Sequence, residues 1–171
     1  MARTRLVIGV LLLGVGLGGF FDGIVLHQIL QWHHMLSEVE PPTSLSRMEL
    51  NVMADGLFHA ATYVATVAGV ALVWSAARGT RGTTWSWHIL AGGLLAGWGL
   101  FNLVEGVIDH HILQVHHVRS GPDELAWDLG FLAWGAVMLV VGGLLMRSGL
   151  EGLHQREHAD STEPADTHRT A

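Results

Sequence analysis

Four long apolar stretches dominate the sequence and leave few options for its fold. They cover residues 6–30, 52–74, 89–113 and 125–146. Each is long enough for a helix that crosses the hydrocarbon core of a membrane, which takes about 20 residues. None alternates apolar and polar residues, and all are far longer than a transmembrane strand of about 10 residues. Because lipid offers backbone groups no external partner, the sequence predicts four membrane-spanning helices.

The composition supports this prediction and excludes several functional classes. Only 14% of the 171 residues are charged, against about 25% in a typical soluble protein. The chain has no cysteine, which excludes disulfides, thiolate zinc sites and iron–sulfur clusters. Its net charge of −6 argues against a nucleic-acid partner. We therefore expect the lipid bilayer as the main partner, with a homo-oligomer or a larger membrane complex left open.

A histidine-rich segment occurs twice. Residues 22–34 read DGIVLHQILQWHH, and 83 positions later residues 105–117 read EGVIDHHILQVHH. Seven of the 13 positions are identical, including histidines and a glutamine that two apolar helices would not share by chance. Two crossings separate the copies, so both run in the same direction across the membrane. The predicted fold is all-α, a four-transmembrane-helix bundle of two duplicated helical hairpins in parallel orientation.

The domain organisation follows from this repeat. We expect residues 1–150 to form one transmembrane domain, with repeat 1 at about 5–77 and repeat 2 at about 86–148. Residues 151–171 are polar and lack periodicity, which predicts a disordered tail. The second and fourth helices are weaker relatives, because Asp55 aligns with Asp128 but Leu132 stands where His59 would be. The two halves of any site are therefore not fully symmetric.

Arginine placement predicts how the chain is oriented. With the N-terminus in the cytoplasm, seven arginines are inside and two, Arg47 and Arg119, are outside, as the positive-inside rule requires. Both termini would then be cytoplasmic in a multi-pass protein of the bacterial inner (plasma) membrane. The N-terminus resembles a signal peptide but lacks a small-x-small cleavage site, so we expect an uncleaved first helix.

Acids and histidines recur at one end of three predicted helices, the extracytoplasmic end in this orientation. Charge at membrane depth is costly and usually marks an ion path, a proton relay or a ligand site. Imidazole and carboxylate groups bind transition metals such as zinc, iron and copper. We predict one or two such ions, bound by Asp22, His27, Asp55, His59, Glu105, His110 and His111. Positions that support these ligands or line the approach would be Gln31, His33, His34, Asp109, Gln114, His116 and His117.

Several functions are compatible with such a site. An open coordination position would allow redox or hydrolytic chemistry in a metal-dependent membrane enzyme. A b-type haem between His27 and His110 or His59 is an alternative, against which the nearby carboxylates argue. A proton or metal-ion relay or transporter would also need polar residues along the cytoplasmic part of the helices, which is almost wholly apolar. A purely structural partner of a larger complex would leave the repeated histidines unexplained.

The histidine-rich segments also resemble a known family. Residues 20–34 read FFDGIVLHQILQWHH, and residues 101–117 read FNLVEGVIDHHILQVHH. They resemble a bacterial family of small four-helix integral membrane proteins known as a domain of unknown function, and the resemblance covers about residues 5–147. It implies an integral membrane protein with the paired motifs FDGIxxHQxLQWHH and NLVEGxIDHHxLQxHH. The resemblance implies no particular activity and no catalytic residue.

Overall fold

The computed structural model describes residues 2–78 and 85–162, with side chains up to residue 159. It contains four α-helices: α1 (Ala2–Phe21), α2 (Leu45–Arg78), α3 (Trp87–Glu105) and α4 (Glu124–Thr162). Two π-helices extend α1 and α3: π1 (Asp22–Ile29) and π2 (Gly106–Ile112). Four helical units are long and apolar enough to cross a membrane, and no strand occurs in the ranges described. The prediction of an all-α fold with four spanning helices is confirmed.

The helices pack in the order α2, α1, α3, α4. α2 packs on α1, α1 on α3, and α3 on α4, whereas the backbones of the other pairs of these helices do not come close to each other in the described ranges. The central helices α1 and α3 bury much more of their surface than α2 and α4 do. Large apolar residues of the outer helices are exposed, among them Leu57, Val64, Val140 and Leu144. These surfaces are suited to lipid, and open grooves are left beside the central pair.

Glycines bring the backbones of α1 and α3 into contact. A Cβ atom on Gly14 would meet the carbonyl oxygen of Leu94, and one on Gly97 would meet the carbonyl oxygen of Leu11. The two glycines are 83 positions apart, which is the offset that also separates the two histidine-rich segments. Close approach at small residues is the usual way in which helices associate in membranes. Gly14 and Gly97 therefore determine how α1 and α3 cross.

Helix α4 continues to Thr162, where the sequence analysis expected a disordered tail from residue 151. Leu153 is buried in an apolar cluster with Leu6 and Ile89, and Arg3 pairs with Glu157 at 2.8 Å. These contacts with α1 and α3 explain why the helix extends beyond the apolar stretch. Residues 163–171 of the expected tail lie outside the described residues.

The segments π1 and π2 end in the same way. The amide groups of Leu30 and Leu113 each donate to the carbonyl oxygen five residues earlier, at 2.8 Å. The next residues, Gln31 and Gln114, each have a φ of 50°, a left-handed conformation that is uncommon outside glycine. A left-handed residue ends a helix and lets the chain turn back over the helix end. Wide π turns of this kind are frequent at functional sites.

Candidate metal centre

Acids and histidines are buried together where π1 meets α2 and π2 meets α4. None exposes more than 4% of its surface, although all carry ionisable groups: Asp22, His27, His33, Asp55, Glu105, His110, His116 and Asp128. Among the side chains that the structure describes, no other Asp, Glu or His is buried to this degree. Burying ionisable groups is costly unless they are paired or bind an ion. The cluster therefore needs an explanation beyond packing.

Six of these side chains have polar atoms that lack a hydrogen-bond partner and lie close to one another inside the bundle, in a region that we call the interior. We call them the inner cluster: Asp22, His27, His33, Glu105, His110 and His116. Their ligating atoms form overlapping groups of three in which all atoms lie within 4.8 Å of one another. The groups are His27–His33–His116, Glu105–His110–His116 and Asp22–His27–Glu105. In the described ranges, such groups that could hold a metal ion occur only here.

Hydrogen bonds at Nδ1 determine which nitrogen of the inner histidines faces this interior. Nδ1 of His33 donates to the carbonyl oxygen of Val118 at 2.9 Å, and Nδ1 of His116 donates to that of Met35 at 3.1 Å. A carbonyl oxygen can only accept, so we assign the ring proton of both histidines to Nδ1. Their Nε2 atoms then present lone pairs to the interior, as metal binding requires.

Asp55 supports this arrangement from α2. Its Oδ1 accepts hydrogen bonds from Nδ1 of His27 at 2.9 Å and from the amide group of Met35 at 2.8 Å. Its Oδ2 accepts from Nδ1 of His34 at 2.7 Å and from Gln28 at 3.1 Å. Both carboxylate oxygens are thus engaged outside the interior. Asp55 orients His27 and anchors the segment after π1.

Asp128 occupies the corresponding position on α4. Its Oδ2 accepts a hydrogen bond from Nδ1 of His117 at 2.6 Å, and its Oδ1 accepts from the amide group of Val118 at 2.9 Å. Nδ1 of His110 lies 3.3 Å from Oδ1, which is longer than the equivalent contact of His27. Asp55 therefore accepts a hydrogen bond from His27, whereas Nδ1 of the equivalent His110 lies near Asp128 without a hydrogen-bond partner.

The pair Asp22 and His27 has the spacing of two ligands of one ion. Nε2 of His27 lies 2.9 Å from Oδ2 of Asp22, yet the alignment is wrong for a hydrogen bond and both atoms lack a partner. Two atoms bound to one ion at about 2.1 Å lie about 3.0 Å apart at a right angle and about 3.4 Å apart in a tetrahedron. Nε2 of His116 lies 3.5 Å from Oε1 of Glu105, close to the tetrahedral value.

The two inner histidines that lie past the spanning segments have lowered pKa values. Burial lowers the pKa of His33 to about 3 and the pKa of His116 to about 4, even though the charge of Asp22 acts in the opposite direction on both. Both imidazoles are therefore neutral at pH 7. Neutral imidazole is the form that binds metal ions.

The structure places five of the seven predicted ligands in or beside the inner cluster and the other two outside it. Asp22, His27, Glu105 and His110 lie in the inner cluster, and Asp55 lies beside it as described above. His59 donates from Nδ1 to the backbone carbonyl oxygen of Asp55 at 2.7 Å and packs against Gly23. His111 is exposed and donates from Nδ1 to the carbonyl oxygen of Gly106 at 2.7 Å. In these ranges neither His59 nor His111 belongs to a group of potential ligands.

The seven predicted supporting positions also differ in location. His33 and His116 belong to the inner cluster, and His34 and His117 bind the supporting aspartates. Gln31 and Gln114 are exposed, and their left-handed backbones end the π-helices. Asp109 is half-buried and lines a cavity with Glu105. Asp128 was not among the predicted residues, although its alignment with Asp55 could have indicated it.

Comparison with known proteins agrees with the membrane fold. The family model DUF2243, described as a predicted membrane protein, matches residues 9–149. The match includes every residue of the inner cluster and both supporting aspartates. No curated protein and no solved structure matches the chain.

Proposed function

Because this chain belongs to the DUF2243 family of predicted membrane proteins, we propose that it is a membrane-embedded metalloprotein with a histidine–carboxylate centre at one end of its bundle. The ligands are the six residues of the inner cluster. The observation that carries this proposal is the convergence of their unpartnered, fully buried nitrogen and oxygen atoms. Bound ions would supply Lewis-acid or redox chemistry at that end of the protein.

Charge balance supports bound cations. Four carboxylates are buried in and beside the inner cluster: Asp22, Asp55, Glu105 and Asp128. In the described ranges, their ion-pair partners are histidines and never arginine. At least two of these six histidines are neutral, so protein charge balances the four carboxylates only if all four of the other histidines are protonated. Uncompensated buried charge is strongly unfavourable, and two divalent ions would neutralise four carboxylates.

The geometry favours two ions over one. Six ligands of a single octahedral ion would lie within about 4.2 Å of one another, whereas the ligating atoms here meet in groups of three. Glu105, His110 and His116 form one such group within the second half, whereas the other two groups combine ligands of both halves. On the other side, Oδ2 of Asp22 lies 2.9 Å from His27 and its Oδ1 lies 3.9 Å from Nε2 of His33. We propose one ion in each half, with Asp22 and Glu105 between the two.

Sequence equivalence supports this division. Each proposed ligand of the first half has a counterpart 83 positions later: Asp22 and Glu105, His27 and His110, His33 and His116. We attribute this to duplication of a helical hairpin, with the two copies in parallel orientation. The proposed ions are zinc, iron or copper, because all ligands are imidazole or carboxylate groups and thiolates are absent.

A haem fits the inner cluster less well than metal ions. The rings of His33 and His116 are stacked, with centroids 4.6 Å apart, and the His110 ring lies 4.8 Å from that of His116. The ring of His27 lies 4.3 Å from that of His33. These rings fill the space between His27 and His110 in which a porphyrin would have to lie.

A relay across the membrane is also less well supported. The fully buried acids and histidines of the described side chains all lie in or beside the inner cluster, whereas α1 is apolar between its arginines and π1. A path for ions would need polar groups along this length. We propose instead a centre facing one side, the extracytoplasmic side of a bacterial inner membrane if the arginines set the orientation.

Cobalt titration tests this proposal. Co²⁺ bound by histidine and carboxylate groups in a low-symmetry site gives visible absorption bands, so the untagged purified protein can be titrated directly. We expect the absorption to rise until two equivalents are bound. Excess Zn²⁺ should remove the bands. A chain that binds no cobalt would contradict the proposal, and an end point at one equivalent would contradict its two-ion part.

A further inference from the structure

A wide groove runs between α1 and α4, whose backbones do not come close to each other. Its volume is about 620 Å³, and its lining is almost entirely apolar. Aromatic side chains make up much of this lining: Phe21, Trp32, Trp98, Trp127, Phe131 and Trp134. A groove of this size could enclose a ring system and part of an alkyl chain.

The groove is covered at its loop end. The rings of Trp32 and Trp127 lie with centroids 5.2 Å apart. The guanidinium of Arg119 lies over both rings, 5.5 Å and 5.7 Å from their centroids. Because these side chains obstruct access from the aqueous side and the helices on either side are membrane-spanning, the groove is open towards the bilayer. A ligand from the lipid phase is therefore favoured over a water-soluble one.

Two buried polar residues interrupt the apolar lining. Asn102 and Asp22 each expose only 2% of their surface, and both line the groove. Oδ1 of Asn102 has no hydrogen-bond partner. An unpartnered buried acceptor beside an apolar cavity is costly, and the hydroxyl group of a ligand that reached it would satisfy it. Asp22 is also a proposed metal ligand, so a molecule that contacts both residues would reach the metal centre.

We infer that this groove binds an amphiphile of the bilayer whose head is a hydroxylated aromatic ring, a phenol or a quinol. The ring packs among the tryptophan and phenylalanine side chains, and its hydroxyl group donates to Oδ1 of Asn102. The alkyl chain extends between α1 and α4 towards lipid. Only the statement that this head lies beside a metal ion depends on the proposed function.

The corresponding groove between α2 and α3 is not equivalent. Its volume is about 310 Å³, and it is bordered by Val15, Phe58 and Glu105. Val15 and Gly19 stand 83 positions before Trp98 and Asn102. The smaller groove therefore lacks both the indole ring and the acceptor amide. We expect one binding site for the amphiphile in each chain.

Binding can be tested with para-nonylphenol and its methyl ether, para-nonylanisole, which has no hydroxyl donor. Metal-free protein in phosphatidylcholine nanodiscs is titrated with each compound, and tryptophan fluorescence reports binding. We expect saturable binding of the phenol, with the ether weaker by about tenfold, the effect of one hydrogen bond. The variant Asn102→Leu should bind both compounds equally.

A matched pair of glycine variants tests the location. A Cβ atom would meet nothing within 4 Å at either Gly130 or Gly143, so a side chain can begin at both positions without a clash, but only Gly130 lines the groove. Gly130→Leu should abolish saturable binding of the phenol, and Gly143→Leu should leave it unchanged.

Two results would overturn the inference. One is equal binding of the phenol and the ether by the unmodified protein, which is expected if lipid acyl chains occupy the groove. The other is unchanged binding of the phenol by Gly130→Leu. Because the titration uses metal-free protein, phenol binding by a chain that takes up no metal would contradict the proposed function alone. Metal uptake without phenol binding would contradict this inference alone.

Discussion

His33 donates a hydrogen bond from its ring to the carbonyl oxygen of Val118 at 2.9 Å, across 85 positions of the chain. The equivalent histidine of the other half, His116, donates to Met35 at 3.1 Å. Each half thus orients a proposed ligand of the other half through a backbone carbonyl group. The complete arrangement of the inner cluster therefore depends on both halves, and a bound ion would stabilise the contact between them.

The first prediction concerns Asp55, which orients His27 without facing the interior. Asp55→Asn keeps the size of the side chain but replaces an acceptor oxygen with a donor, so the hydrogen bonds to His27 and His34 cannot both remain. We expect metal affinity to fall by about 10- to 100-fold, as is typical when a residue that orients a ligand is lost. Competition with a chelator of known affinity measures this.

Glu49→Gln is the matched control, because Glu49 is an exposed carboxylate on the same helix. It should keep the affinity of the unmodified protein. An unchanged affinity in Asp55→Asn would contradict the orienting role of Asp55.

The second prediction concerns the pH dependence of stability. The pKa of His33 is lowered from 6.5 to about 3, and the pKa of His116 from 6.5 to about 4. Between these values the unfolded chain binds more protons than the folded chain, so folding stability is lost as the pH falls. We expect the thermal unfolding midpoint of the metal-free protein to decrease steadily from about pH 6.5 to about pH 4.

Replacing both histidines with asparagine should make this decrease shallower, because asparagine does not titrate. Circular dichroism in detergent provides the measurement. A midpoint that stays constant or rises on acidification would contradict the neutral state of the two buried imidazoles.

The third prediction concerns the crossing of α1 and α3. Gly14→Val should clash with the backbone of α3, because even a Cβ atom would meet the carbonyl oxygen of Leu94. Overpacking at a close contact costs about 1–3 kcal/mol, which would lower the unfolding midpoint by several degrees. Gly56→Val, on a surface with nothing within 4 Å of the added Cβ, should have a much smaller effect. Equal destabilisation by the two changes would contradict the assigned crossing.

The sequence was sufficient to predict the spanning helices and part of the inner cluster. Long apolar stretches predict spanning helices directly, because a single segment in lipid can pair all of its backbone N–H and C=O groups only as a helix. Asp22, His27, Glu105 and His110 could be chosen as ligands because ionisable groups at membrane depth need a partner. Each of these four residues lies within a helix that hydropathy alone identifies.

The placement of His33 and His116 could not be predicted from helical periodicity. Projection at 100° per residue assumes a regular α-helix, but π1 and π2 are wider, and left-handed residues at Gln31 and Gln114 end them. The chain then turns back, so His33 enters the cluster that it was expected only to support or to approach. His59, in contrast, lies on a regular α-helix and donates to the carbonyl oxygen four residues earlier.

The fourth prediction concerns orientation. The natural chain has no cysteine, so single introduced cysteines report accessibility without background. Ser44 is exposed just before α2. Ser148 is exposed within α4, two residues beyond the apolar stretch of residues 125–146 and towards the opposite end of the bundle. In intact spheroplasts, a membrane-impermeant maleimide should label Ser44→Cys and spare Ser148→Cys until the cells are lysed. The reverse pattern would place the inner cluster on the cytoplasmic side.

The most direct test of the metal centre is elemental analysis of untagged protein after purification and reconstitution with zinc, iron or copper. Two double variants remove the same number of histidines: His33→Ala with His116→Ala, and His59→Ala with His111→Ala. We expect two equivalents of metal in the unmodified protein and in the His59/His111 variant, and loss of most of the metal from the His33/His116 variant. A chain that neither carries nor takes up metal, or a loss confined to the His59/His111 variant, would contradict the account.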